Sequence, residues 1–173
     1  MIRRDFIKIV ATCAGALLTG WHGGLLARDA RRAASGELKP NFYLALHPSG
    51  EIEFFLTKLE MGQGVGTGYQ MIIAEELEVM PQAITVRQAN YDHQSHDGVL
   101  DINGGTTGGS RSIRLGWQKL RMAAASARTL LIQAAADEWQ VPISECYAKQ
   151  GTVLHDASGR RLDYGALVAK AAQ

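Results

Sequence analysis

The sequence feature that most restricts the fold is the glycine-rich stretch LEMGQGVGTG at Leu59–Gly68, the first glycine segment. Every second residue from Gly62 to Gly68 is a glycine, and glycine lets the backbone adopt positive φ and approach a ligand closely. The segment lies between a strand-like run, Ile52–Thr57, and a helix-like run, Tyr69–Val79. Because the first N–H groups of a helix are unpaired and its dipole attracts negative charge, this order predicts an anion cradle.

A second glycine segment, GGTTGGSRS at Gly104–Ser112, precedes a long helical pattern at Ile113–Trp139. Backbone N–H groups and hydroxyl donors at a helix start suit a pyrophosphate or another polar, planar ligand. Arg111 and Arg114 would add positive charge. For either segment taken singly, a flexible turn without a ligand is the alternative. The hydroxyl residues of the second segment are Thr106, Thr107, Ser110 and Ser112.

Neither segment matches the usual nucleotide motifs. A phosphate-loop NTPase needs Gly-Lys-Ser/Thr at the end of its loop, and neither segment has a lysine there. The dinucleotide fingerprint G-x-G-x-x-G begins at Gly62, but its last position is Thr67. The sequence therefore does not predict a site for a nicotinamide or flavin dinucleotide by this route.

The remaining patterns predict an α+β fold, with a β-hairpin and mixed strands packed against a long alanine-rich helix and shorter helices. We expect Thr67 and Asp163 to cap helices, since both have suitable side chains just before helical patterns. Met71 falls on the apolar side of its helical pattern, and Trp117 and Trp139 are expected in the core. The predicted strands are Phe42–Leu46, Glu51–Thr57, Ile84–Ala89, Cys146–Lys149 and Thr152–His155, and the last helix is Tyr164–Ala172.

Composition and charge exclude several classes. The chain is 46% hydrophobic and 20% charged, which is typical of a globular domain. Six Lys/Arg and two Asp give residues 1–34 a net charge of +4, and twelve Lys/Arg and fifteen Asp/Glu give residues 35–173 a net charge of −3. The acidic balance of the larger part argues against a nucleic-acid partner. Two isolated cysteines provide neither a disulfide framework nor a cluster site.

The N-terminus has the features of an export signal. Residues Arg3 to Lys8, RRDFIK, resemble the twin-arginine signal of bacteria, R-R-x-F-(I/L)-K, and predict a periplasmic protein. The apolar run that follows, Ile7–Leu18, is too short and too rich in small residues for a stable membrane span. We therefore assign residues 1–36 to the signal and a linker, and residues 37–173 to the domain. An amphipathic helix is the alternative, and no clear cleavage site is present.

The motifs together resemble a known family. Taken in their order along the chain, they resemble the motifs of the molybdopterin-binding subunit of molybdenum hydroxylases, the xanthine dehydrogenase/aldehyde oxidase family. Within that family, the resemblance is to the isoquinoline 1-oxidoreductase beta-subunit type. Its members are about four times longer, so the chain resembles an N-terminal segment, part of a larger molybdopterin-binding domain. The matching motifs are Glu60-Met61-Gly62-Gln63-Gly64, Ala74-Glu75-Glu76-Leu77 and Thr107-Gly108-Gly109-Ser110-x-Ser112.

The resemblance implies a function and a set of contacts. The family hydroxylates N-heterocycles or oxidises aldehydes, with molybdopterin cytosine dinucleotide as cofactor and a dithiolene of that cofactor holding the metal. Implied partners are the rest of the subunit, a small subunit with [2Fe–2S] clusters and a cytochrome c. The family's catalytic glutamate lies in a later part, so no catalytic base is assigned here. The implied cofactor contacts are Met61, Gly62, Gln63 and Gly64 in the first segment, and Thr107, Gly108, Gly109, Ser110 and Ser112 in the second.

Two further interpretations stay open at this point. The chain could be a truncated, non-catalytic remnant or interaction module that keeps the fold without the cofactor. The loop Asp92–Asp97, with His93 and His96 three residues apart and Asp101 nearby, is a weak candidate for a zinc site, against a solvated or cofactor-edge loop. We expect structural roles for His47 and His155 and a core position for Cys146.

Overall fold

The computed structural model describes residues 36–89 and 107–173. The export signal and the candidate zinc loop lie outside the described residues and stay predictions. The strands are β1 (Leu38–Asn41), β2 (Leu44–Leu46), β3 (Ile52–Leu56), β4 (Ile84–Gln88), β5 (Tyr147–Lys149), β6 (Thr152–His155) and β7 (Arg160–Asp163). The α-helices are α1 (Val65–Leu77), α2 (Ser112–Trp139) and α3 (Tyr164–Ala171), with short 3₁₀ turns at Pro81–Ala83 and Ile143–Glu145. The predicted α+β class is confirmed.

The first sheet positions the first glycine segment. Its strands lie in the order β1-β2-β3-β4, and β3 and β4 are parallel, with Ile52 opposite Ile84 and Leu56 opposite Gln88. A parallel pair needs a crossover connection, and α1 supplies it. Ile52, Phe54 and Leu56 are buried, so one face of β3 belongs to the core. The segment therefore lies at the carboxyl end of β3, where the chain leaves the sheet for α1.

The two longer helices pack side by side. Small side chains on α2 allow a close approach, and Gly116 lies against the ring of Tyr69 on α1. Arg121 on α2 also forms a short hydrogen bond with Glu76 on α1. The buried residues of α2 are Gly116, Leu120, Ala124, Ala127, Leu131 and Ala134–Ala136. Buried positions three or four residues apart give α2 one apolar face, although Leu130 is exposed.

The second sheet has the order β5-β6-β7 and leads into α3. The hydroxyl of Tyr164, at the start of α3, donates a hydrogen bond of 2.6 Å to the carbonyl of Leu77 at the end of α1. Gly165 lies so close to the turn after β2 that a Cβ would be 2.7 Å from the carbonyl oxygen of Pro48. The C-terminal part is thus fixed to the first sheet and to α1.

Several predictions about local structure are wrong. Helix α1 begins at Val65 rather than Tyr69, so Thr67 lies inside the helix and does not cap it. The glycines there give packing space: a Cβ on Gly68 would be 2.8 Å from Cδ1 of Ile113. The predicted strand Phe42–Leu46 begins only at Leu44, because the Asn41 side chain accepts the N–H of Tyr43 at 3.0 Å and turns the chain there.

Other side chains also depart from prediction. Met71 is 57% exposed and Trp117 is 50% exposed, because the buried face of each helix lies one position away, at Ile72 and Gly116. Asp163 precedes α3, but its carboxylate accepts the Thr152 hydroxyl at 2.9 Å and makes no capping bond. Within the described residues, no helix is long and apolar enough to cross a membrane.

Candidate functional site

The first glycine segment is folded around the carboxylate of Glu60. One oxygen, Oε1, accepts the N–H groups of Gly62 and Gly64, both at 2.9 Å, and Oε2 accepts the N–H of Gly66 at 3.0 Å. Gly62 and Gly64 have φ values of 94° and 79°, which turn their N–H groups toward one point. These backbone hydrogen bonds, from Gly66 first, lower the pKa of Glu60. The predicted anion cradle is formed, and its anion is the chain's own side chain.

Gln63 closes the same segment from the other side. Its Oε1 accepts the N–H of Met61 at 2.6 Å, and its Nε2 donates to the carbonyl of Leu59 at 2.9 Å. The Met61 side chain is 69% exposed. A Cβ added to Gly62 or Gly64 would meet nothing within 4 Å. This side of the segment is therefore a preformed, open surface.

Thr107 joins the two glycine segments. Its hydroxyl accepts a hydrogen bond of 2.9 Å from the N–H of Leu59 and donates one of 3.1 Å to the carbonyl of the same residue. Tyr69, in the second turn of α1, donates to the carbonyl of Ser112 at 2.7 Å. The structure thus brings together the described parts of two segments that lie some forty residues apart in sequence.

The second glycine segment presents an open helix start. Gly109 and Ser110 have φ values of 60° and 52°, and α2 begins two residues later, at Ser112. Arg111 occupies the N-cap position, and the described residues provide no side-chain cap there. Gly108, Gly109, Ser110 and Arg111 are exposed. Unlike the start of α1, the start of α2 has N–H groups that can donate hydrogen bonds to an external anion.

Positive charge lies beside this open helix start. Lys58, only 4% exposed, follows β3, and burial lowers the pKa of its ammonium group, with smaller contributions from the charges of Arg111 and Lys119. Lys58 was not predicted as a site residue from the sequence. Its signal was a single lysine next to the apolar run Ile52–Thr57. The three cations favour an anionic group near the second segment.

The described residues of the site provide hydrogen-bond donors and positive charge. Among the described residues, no cluster of three His, Cys, Asp or Glu side chains could hold a metal. Glu60 is occupied by three amides. The arrangement is therefore suited to holding and orienting a polar ligand with an anionic part.

His47, His155 and Cys146 have the structural roles expected of them. His47 Nε2 lies 3.0 Å from Glu53 Oε2. His155 is buried in the second sheet, with Nε2 2.9 Å from Glu145 and Nδ1 2.7 Å from the Ser158 hydroxyl. Cys146 is buried, and burial raises the pKa of its thiol.

Comparison with known proteins shows which family the chain belongs to. The family model described as the molybdopterin cofactor-binding domain matches residues 16–173. The chain belongs to this family. The match includes both glycine segments, and the predicted family resemblance is confirmed.

Molybdopterin cofactor-binding relatives are much longer than this chain. The isoquinoline 1-oxidoreductase subunit beta of Brevundimonas diminuta is 33% identical over 132 residues, which cover 76% of this chain and 17% of that protein. A membrane-bound aldehyde dehydrogenase of Gluconacetobacter polyoxogenes, whose name specifies pyrroloquinoline quinone, is 28% identical over 142 residues, 82% of this chain and 17% of that protein. The chain thus spans about a sixth of the length of these relatives.

A solved structure shows the same fold. Quinoline 2-oxidoreductase from Pseudomonas putida 86 superposes with a TM-score of 0.56 and 18% sequence identity, over 73% of this chain and 15% of that one. At this identity the likeness concerns the fold alone. It supports the α+β architecture of a molybdopterin-binding domain fragment.

Proposed function

We propose that this molybdopterin cofactor-binding domain contributes two contact surfaces to the molybdenum cofactor of a hydroxylase, in the form of molybdopterin cytosine dinucleotide. The observation that carries the proposal is the Thr107 hydroxyl, which joins the preformed first segment to the open, positively flanked second segment. For each segment alone the alternative was a flexible turn without a ligand, and the hydrogen bonds between Thr107 and Leu59 count against it.

The two surfaces fit different parts of such a cofactor. The first segment offers Met61, Gln63 and bare glycine backbone, a neutral surface suited to the pterin. The second offers Thr107, Gly108, Gly109, Ser110 and Ser112 beside three cations, which suits the pyrophosphate. The bound cofactor would supply the two-electron redox chemistry of the metal. The residues of this chain bind and orient it.

The substrate, partners and location belong to the same proposal. The reaction is hydroxylation of an N-heterocycle or oxidation of an aldehyde, in keeping with the names of the two relatives. We assign as partners the remainder of the molybdopterin-binding subunit, a [2Fe–2S] subunit and a cytochrome c. The Arg3-Arg4 motif supports export to the periplasm.

A non-catalytic remnant or interaction module is the second candidate. The observation in its favour is that Glu60, the only glutamate within the described glycine segments, is held by backbone amides. Within the described glycine segments, no carboxylate is then free to act as a general base. The two candidates differ in whether the chain associates with molybdenum.

Molybdenum occupancy of site variants tests the proposal. Gln63→Ala removes the side chain that shapes the first segment, and Gly109→Val places a β-branched residue at a φ of 60° in the second. We expect both to lower the molybdenum that co-purifies with the chain and its associated polypeptides, measured by mass spectrometry of the metal.

Two control variants separate cofactor loss from general damage. Gly159→Val imposes the same backbone strain at a φ of 66° in the β6–β7 turn, and Gln133→Ala truncates an exposed glutamine on α2. Both should keep wild-type occupancy. Full occupancy in Gln63→Ala and Gly109→Val would show that the cofactor lies elsewhere.

A further inference from the structure

The three amides around Glu60 form a complete anion-binding nest. The N–H groups of Gly62 and Gly64 come from residues in the left-handed region, and that of Gly66 comes from the first turn of α1. Such convergent N–H groups at a helix start bind carboxylate or phosphate oxygens. Both carboxylate oxygens of Glu60 are bonded, Oε1 to two amides and Oε2 to one.

The glutamate reaches the nest from within the same short turn. Glu60 lies two, four and six residues before its three donors, so little chain must be ordered to bring it there. A tethered carboxylate has a high effective concentration and outcompetes a free anion for the same donors. Gln63 fixes the opposite side of the turn through Met61 and Leu59.

We propose that Glu60 is a positioning residue that permanently occupies this nest. It holds the first glycine segment in its binding shape before any ligand arrives, and it keeps phosphate out of the α1 helix start. The role of Glu60 in directing the cofactor rests on the proposed function. The anionic part of the cofactor is then directed to the start of α2, which the described residues leave uncapped.

Removing the carboxylate should uncover a latent anion site. In the 173-residue chain carrying Glu60→Ala, the backbone amide signals of Gly62, Gly64 and Gly66 should shift saturably when inorganic phosphate or propionate is added. The affinity should be at least about tenfold higher than in the wild type. Glu75→Ala, which removes an exposed glutamate from α1, is the matched control and should behave as wild type.

A pH titration of the unaltered chain tests the same inference without a variant. The three amide signals should titrate together, with a midpoint below the usual glutamate value of about 4.3, because the amides favour the charged carboxylate. In Glu60→Gln this shared transition should vanish, since the amide side chain does not ionise.

Either of two results would overturn the inference. One is a wild-type chain whose three glycine amides respond to phosphate as strongly as those of Glu60→Ala. The other is the absence of a shared acid transition in the wild type. Neither measurement uses the cofactor, so both results are independent of whether the proposed function is correct.

Discussion

At the residue scale, Gly116 determines how closely the two long helices approach. A Cβ at this position would be 2.5 Å from the hydroxyl oxygen of Tyr69, the group that anchors Ser112. Burial raises the pKa of Tyr69 to about 12, so its hydroxyl keeps the proton that it donates. The contact links helix packing directly to the end of the second glycine segment.

Gly116→Ala should therefore destabilise the fold. Alanine is better than glycine in a helix interior by about 1 kcal/mol, but overpacking costs about 1–3 kcal/mol, so we expect a net loss in the free energy of unfolding. Urea denaturation measures it. Gly66→Ala on α1 is the control, because its Cβ would make only ordinary contacts at 3.5 Å. Equal or higher stability of Gly116→Ala would contradict the packing described.

Glu53 gives the stability a defined dependence on pH. The hydrogen bond from His47 is the main cause that lowers the pKa of Glu53, with a smaller contribution from Arg87. A folded-state pKa below the unfolded value of about 4.3 stabilises the fold above that pH, and this stabilisation is lost as the pH falls through the folded value.

The Glu53→Gln variant should show this loss. The difference in the free energy of unfolding between wild type and variant should be largest above about pH 5 and should shrink on acidification. Urea denaturation across the acid range measures it. Glu51→Gln, at an exposed carboxylate nearby, is the control. A difference that stays constant with pH would rule out the assigned role of Glu53.

Residue identity predicted the location of the candidate site but not its internal bonding. The glycines of both segments and Thr107 were visible as motif residues, and in the described part of the chain Thr107 contacts Leu59 of the first segment. The role of Glu60 was not visible, because a carboxylate at the edge of a glycine turn does not reveal which amides it accepts. Lys58 was missed because its burial depends on packing beyond its own sequence neighbourhood.

At the element scale, α2 is the main support of the core. Leu131 is fully buried, whereas its neighbour Leu130 is 39% exposed. Leu131→Ala should lower the free energy of unfolding by about 2–5 kcal/mol through lost burial and an unfilled cavity. Leu130→Ala is the matched control and should cost clearly less. Equal losses in urea denaturation would show that the helix is rotated from the orientation described.

The helices also show where sequence patterns succeed and fail. The predicted limits of α2 differ from the observed ones by one residue, because a long 3.6-residue period is a strong signal. The sequence pattern places the start of α1 four residues late, at Tyr69, because Gly66 and Gly68 favour a turn over a helix. Strands β1 and β7 were missed because short, half-exposed strands carry little alternation.

At the scale of the whole molecule, the described residues bring two glycine segments of a molybdopterin cofactor-binding domain into contact. The family and the α+β class could be predicted because motif order extends over much of the chain. The exposure of Trp117 and Met122 could not be predicted, since periodicity shows that a helix has an apolar face but not what covers that face. We propose that the remainder of a molybdopterin-binding subunit is the partner that such a chain requires.

The content of molybdenum and cytidine monophosphate in the purified chain tests the central claim most directly. The tagged chain is isolated from its native cells with the polypeptides that accompany it, and both groups are measured after acid release. The proposed function predicts molybdenum and cytidine monophosphate in equal amounts. A correctly folded chain that carries neither group would contradict it and favour the non-catalytic alternative.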